Sequence, residues 1–240
     1  PISMSVFSQQ QLDNANIVNA SDLANYVPSL QINGRFGGDT TTFAIRGFSQ
    51  ELRTTAAVGV YFAEVVAPRG ANSQNSGDGA GPGDFFDLQN VQVLKGPQGT
   101  LFGRNSTGGA ILITPQRPTE ELGGYLEGSA GNYDMWRTQG VFNTPAGDRV
   151  RLRFGIDHQE RDGYLDNWSG IGPDEFANMD YTALRASMVV DVTDTIENYS
   201  IVRYTNSDNN GFPGSLIDCN GAAPLGAIFC VSDLANRQAT

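Results

Sequence analysis

The side chains able to do chemistry are few. His158 is the sole histidine, and Cys219 and Cys230 are the only cysteines in 240 residues. A Ser-His-Asp or Cys-His arrangement therefore has one imidazole to build on, and the cysteines lie on a different segment from it. Cys219 and Cys230 bracket NGAAPLGAIF without a CxxC spacing. In an oxidising compartment the pair would close a disulfide that stiffens this loop, by about 3 kcal/mol on chain-entropy grounds; metal binding is the rival reading. Asp78, Asp84 and Asp87 could serve acid-base work or hold Ca²⁺, but they lack the EF-hand spacing and read as solvated loop charges. GPQGTLFGRNS lacks the Gly-Lys-Ser/Thr ending of a phosphate-binding loop. These counts predict neither an enzyme nor a resident cofactor or metal.

The elements that must position these residues come in two styles. Up to Pro118 they are short and mixed. Met4 to Phe7 alternates as a strand, Ser8 to Ala15 reads as a helix capped by Ser8, and Asn19 to Tyr26 as a second helix starting near Ala20 or Ser21. Val27-Pro28 closes that helix, because a residue before proline leaves the helical region. Leu30 and Ile32 begin an extended piece, Thr42 to Arg46 and Val58 to Val66 read as strands, and residues 67–86 form a polar, Gly-rich loop of a length that predicts a functional segment. Asp87 to Thr114 holds a strand around Val91, Val93 and Leu94, a Gly-Pro turn, and a second strand from Ala110.

After Pro118 the pattern becomes long alternation. Val150, Leu152, Phe154 and Ile156 interleave with Arg151, Arg153, Gly155 and Asp157, and Leu184 to Val192 does the same. The predicted strands are Gly124 to Gly131, Met135 to Asn143, Arg149 to Gln159, Tyr181 to Val192 and Thr195 to Thr205. No apolar run approaches the roughly 18 to 20 residues of a transmembrane helix, which says nothing of a β-barrel. Charged residues make up 17% and the net charge is −11. That balance argues against nucleic acid, whose binders cluster Lys and Arg against phosphates.

The stretch VQVLKGPQGTLFGRNSTGGAILIT resembles the end of the plug domain of TonB-dependent outer-membrane receptors, and FAIRGF resembles the family's Ile-Arg-Gly motif. The opening PISMSVFSQQQLDNANIVNASDLANYVPSLQI and the central VGVYFAEVV are similar to the same domain, with Leu112 where the family usually has Asn and Ala63-Glu64 where it usually has Asp-Gly. The resemblance implies an α+β plug domain over residues 1–118, followed over residues 119–240 by antiparallel strands of a transmembrane β-barrel. Only part of a barrel is expected, because plugged transporters use about 22 strands of about 9 to 11 residues. Short connectors at NTPAGD and Thr193-Asp194, against long ones at Arg161 to Asp180 and beyond Asn206, fit periplasmic turns and extracellular loops, with Asn132-Tyr133-Asp134 the one short outer connector. Tyr164, Trp168 and Tyr181 would then sit near the outer membrane interface.

By that resemblance the chain belongs in the outer membrane of a Gram-negative bacterium, with lipid, TonB and an extracellular small molecule as partners. The box that contacts TonB normally precedes the plug, and nothing similar stands before Pro1, as in a trimmed chain. The resemblance also implies that Arg46, Lys95 and Arg104 pair with carboxylates of the barrel wall, as gate or as anchor. Ligand contacts are expected at Arg35 and Phe36, at Asn72, Gln74 and Phe85, and on the loops of Trp168 and Phe212, where aromatics beside polar groups suit an iron chelate or a glycan alike. A soluble, secreted β-rich binding or adhesion module is the alternative.

Overall fold

The computed structural model describes residues 3–33, 41–50, 55–67, 81, 83–168 and 171–212. The first half builds a five-stranded sheet from β1 (Ser3–Ser8), β4 (Val58–Phe62), β5 (Val65–Val66), β6 (Leu88–Lys95) and β7 (Gly109–Pro115), in the order β1-β6-β7-β4-β5. All contacts are antiparallel except β4 with β7, which is parallel. A small second sheet pairs β2 (Leu30–Asn33) with β3 (Thr42–Ile45). Two one-turn helices, α1 (Gln9–Asn14) and α2 (Ala20–Ala24), bring Leu12 and Leu23 onto one face of the main sheet. There Val58, Val60, Val91, Val93, Ile111 and Ile113 form the core with them. Tyr61, Leu94 and Ala110 cover the other face with Phe102 of α3 (Gly99–Phe102) and with Leu112.

Helices this short do not stand alone, so their caps and packing hold them. Ser8 caps α1 through a reciprocal box with Gln11, as the sequence predicts. The second helix begins at Ala20, as the sequence predicts, and Asn19 caps it: its side chain accepts from the Asp22 N–H while the Asp22 carboxylate accepts from the N–H groups of Val18 and Asn19. The expected strand Val58 to Val66 is broken. Ala63 (φ 49°) and Glu64 (φ 68°) turn the chain back, and β5 pairs with the end of β4. Such a pair of positive φ angles usually draws Asn-Gly or Asp-Gly, so composition hid the turn.

The second half is an up-and-down ribbon sheet. Its strands are β8 (Gly123–Ala130), β9 (Trp136–Pro145), β10 (Val150–Arg161), β13 (Met179–Thr193) and β14 (Ile196–Ser207), in the order β14-β13-β10-β9-β8, all antiparallel. Each lies within a few residues of its predicted span. A small hairpin, β11 (Leu165–Asp166) with β12 (Glu175–Phe176), stands in the long connector between β10 and β13. The sheet is open, not a closed barrel. Its two faces differ. Phe142, Phe154, Ile156, Leu184, Met188, Val202 and Tyr204 point outward and are exposed, whereas Arg137, Gln139, Asn143, Asp157, Gln159, Arg185 and Ser187 point inward and are buried. Apolar outside and polar inside is the inverse of a soluble sheet. Tyr181, at the long-connector end of β13, faces inward at 3% exposure and donates to Asp157 Oδ2 at 2.9 Å.

Candidate functional site

The inner face of the ribbon sheet carries an electrostatic problem. Arg185 of β13 and Arg203 of β14 are direct cross-strand partners, and Arg153 on β10 lies two residues from Gly155, the partner of Arg185. Like charges opposite each other destabilise a sheet, and buried guanidiniums need counter-charges. The first half of the chain supplies them from one knuckle, Gly83 to Asp87, just ahead of β6. Asp87 is gripped from two sides. Arg153 forks onto both its carboxylate oxygens, with Nε to Oδ2 at 2.8 Å, and Arg185 Nη2 donates to Oδ2 at 2.9 Å, to the Asp87 carbonyl at 2.8 Å and to the Phe86 carbonyl at 3.0 Å. Asp84 pairs with Arg203 and accepts from the Gly81 N–H at 3.1 Å. Both aspartates are buried, at 7% for Asp84 and 5% for Asp87. The reading of them as solvated loop charges is therefore corrected.

Apolar contacts frame the ion pairs. Phe85 and Phe86 point opposite ways: Phe85 enters the core of the first half, and Phe86 joins Val141, Tyr181 and Ala183 of the ribbon sheet. The Phe86 ring lies over Gly155, where a Cβ would sit 2.7 Å from it, and a Cβ on Gly83 would sit 2.1 Å from Ala183 Cβ. Gly83 also has φ +76°. The guanidiniums stack as well, Arg185 over Phe86 at 4.5 Å and Arg203 over Phe62 at 3.9 Å. Burial pushes the Asp84 carboxyl up to about 6, opposed by the charge of Arg203, the Gly81 N–H and the charge of Arg185. Asp22 is also raised by burial, against the N–H groups of Val18 and Asn19 and the charges of Arg137 and Arg161.

The connector into β8 is held too. Asn143 on β9, 2% exposed, accepts from the Thr119 N–H at 2.9 Å and donates to the Thr119 carbonyl, the Thr119 hydroxyl and the Glu121 carbonyl. Arg117 pairs with Glu197, and Arg151 with Asp191. Further up the inner face Arg137 makes a two-pronged bond to Asp157 at 2.7 and 2.9 Å. These groups can bind, orient and fasten. Among the described residues, no group of three or more His, Cys, Asp or Glu could hold a metal ion. His158 lies against Trp136, ring centroids 4.6 Å apart, with Nδ1 2.9 Å from the Thr182 hydroxyl.

The sequence-predicted residues fall elsewhere. Arg46 and Arg104 are exposed and Lys95 half-buried. Among the described residues none of the three makes an ion pair with the ribbon sheet, although Arg46 lies beside the turn after Lys95, its Nη1 3.4 Å from where a Gly96 Cβ would be. Phe85 is 1% exposed in the core, so it has no surface to offer a ligand. Trp168 is 92% exposed near the β11–β12 hairpin, and Phe212 is exposed with its ring 6.5 Å from Tyr164. Arg35, Phe36, Asn72, Gln74, Cys219 and Cys230 lie outside the described residues. Sequence reasoning misread Asp84 and Asp87 and assigned no pairing role to Arg153, Arg185 and Arg203. The available signal was arginine recurring on the polar parity of the later strands, which demands carboxylates from another part of the chain.

Comparison with known proteins agrees with this geometry. Residues 1–110 match the TonB-dependent receptor plug domain model. The pesticin receptor of Yersinia pestis is 27% identical over 147 residues, covering 61% of this chain and 21% of that one. The ferripyoverdine receptor of Pseudomonas aeruginosa is 26% identical over 170 residues, 70% of this chain and 20% of that one. The chain thus spans about a fifth of the length of these relatives. The solved ferric yersiniabactin uptake receptor FyuA from Yersinia pestis superposes with a TM-score of 0.70 at 25% identity, over 88% of this chain and 32% of that one. Pyoverdine-bound FpvA from Pseudomonas aeruginosa superposes at 0.66 and 20% identity, over 86% and 28%, and shares the fold. Residues 1–110 are a TonB-dependent receptor plug domain, and the chain is homologous to the pesticin, ferripyoverdine and other TonB-dependent outer-membrane receptors.

Proposed function

We propose that this chain is the plug, over residues 1–118, and the first wall strands, from residue 119, of a receptor in the Gram-negative outer membrane. The full-length protein would bind an extracellular ligand, an iron siderophore or comparable nutrient, and pass it into the periplasm with energy delivered by TonB. The observation that carries the reading is the two-faced wall: a polar inner face fastened to the plug by buried ion pairs and an exposed apolar outer face suited to lipid. Strands of 10, 12, 15 and 12 residues in β9, β10, β13 and β14 reach the about 9 to 11 that a bilayer crossing takes. An apolar outer face of this extent weighs against a soluble secreted module. The names of relatives, receptors for ferripyoverdine and ferrioxamine and an uptake receptor for ferric yersiniabactin, favour a ferric chelate as ligand. Trp168 and Phe212, on the side of the long connectors, are the candidate ligand contacts. Arg46, Lys95 and Arg104 are candidates for pairing with wall strands further along the full-length protein.

The test is uptake of radiolabelled iron, presented as a panel of ferric siderophores, by cells that carry or lack the full-length gene. The reading expects uptake of at least one chelate that disappears with the gene and in a TonB-null strain. Unchanged uptake of every chelate, or recovery of the protein as a soluble monomer without detergent, would overturn it.

A further inference from the structure

The connector between plug and wall is stapled down, and the staple is continuous with the grip on the knuckle. Asn143 holds Thr119 and Glu121 through its amide, and its Oδ1 also lies 3.4 Å from Arg153 Nη1. Arg153 in turn forks onto Asp87, and the Asp87 carbonyl accepts from the Gln116 N–H at 3.0 Å, just past the end of β7. The path closes on itself: β9, β10, the start of β6, the end of β7 and the connector share one hydrogen-bonded ring. Every polar atom of the Asn143 side chain is spent in it, and the residue is buried. A buried amide serving three backbone groups fixes register as well as position.

We infer that Asn143 is a positioning residue: with Arg153 and Asp87 it clamps β6, β7 and the connector to the wall as one body, and this clamp stays closed while ligand passes. The inference rests on the transport reading above. Any rearrangement of the plug then takes place away from the knuckle and connector, in the segments the ring does not include. Asn143 does not touch ligand; it acts by keeping the wall and the exit strand of the plug in fixed register.

The test uses the full-length receptor in cells. Thr119→Cys with Asn143→Cys, joined by a short bis-methanethiosulfonate that reduction removes, replaces the hydrogen-bonded staple by a covalent bridge between positions whose side chains meet at 2.9 Å. A second pair, Arg117→Cys with Glu197→Cys, joined by a short bis-maleimide, bridges the connector to β14 at a more exposed place and leaves Asn143 intact. With the clamp closed throughout transport, TonB-dependent uptake in the cross-linked form of either pair stays within about twofold of the reduced form. Loss of uptake on cross-linking, restored by reduction in the first pair, would overturn the inference. Asn143→Ala supplies the readout that a purely structural role would not move: ligand Kd unchanged in cells with normal receptor levels, but a raised TonB-independent leak of a large antibiotic. An Asn143→Ala receptor no leakier than wild type would count against the clamp. Wild-type receptor that takes up no chelate would sink the transport reading and the clamp with it, whereas wild-type uptake together with loss in the cross-linked pairs sinks the clamp alone.

Discussion

At the scale of single residues, two aspartates three positions apart have different lives. Asp87 balances two guanidiniums, and removing it strands both in a dry joint. Asp87→Ala should therefore cost about 3 to 5 kcal/mol of stability in the full-length receptor, measured by denaturant unfolding in detergent. An exposed pair such as Arg149 with Asp194 should cost no more than about 1 kcal/mol when broken. Asp84 answers to one guanidinium, and burial outweighs that attraction, leaving its carboxyl raised to about 6 against 3.8 unfolded. A carboxyl raised in the folded state binds its proton more readily there than in the unfolded chain. Its contribution to stability thus grows as pH falls through about 6 towards 3.8 and is least favourable at neutral pH. Unfolding midpoints of wild type and Asp84→Asn across that range check this: the variant should lose the acid-side gain, and an identical profile would refute the assignment.

At the scale of elements, the strain and the close approaches are local and can be probed one at a time. The β4–β5 turn places Ala63 and Glu64 at positive φ, a conformation that costs an L-residue roughly 1 to 2 kcal/mol. Glu64→Gly should raise stability by about 1 kcal/mol with no change in the wall contacts, read from thermal unfolding. Gly155→Ala should do the opposite, because the new Cβ would meet the Phe86 ring at 2.7 Å and push the knuckle off β10; overpacking of that kind costs about 1 to 3 kcal/mol. Element boundaries followed the chemistry that was visible. Ser8 capped α1 as expected, and the alternation of Val150 to Ile156 placed β10, because one wet and one apolar face leave a period of two. The break at Ala63-Glu64 was hidden, because it uses residues that turns rarely choose.

At the scale of the whole molecule, plug and wall are two sheets that need each other's charges. The plug sheet was legible from its glycine-rich motifs and short apolar runs, and the open ribbon sheet from its period and its uneven connectors. The joint was not. Asp84 and Asp87 sit in a stretch whose composition looks like a loop, and no local pattern says that Arg153, Arg185 and Arg203, about 66 to 119 residues away, will converge on it. The resemblance directed attention to Arg46, Lys95 and Arg104 instead. Here the polarity runs the other way, with carboxylates on the plug and guanidiniums on the ribbon sheet. The same arrangement explains why the inner face can bury arginines directly opposite each other without tearing the ladder apart.

A double-mutant cycle between Asp87 and Arg185 in the full-length receptor addresses that joint most directly. With plug and wall fastened as described, the two alanine substitutions are strongly non-additive, with a favourable coupling within the range of about 0.5 to 3 kcal/mol found for groups in one buried network. Effects that simply sum, to within about 0.3 to 0.5 kcal/mol, would mean that the carboxylate and the guanidinium do not meet.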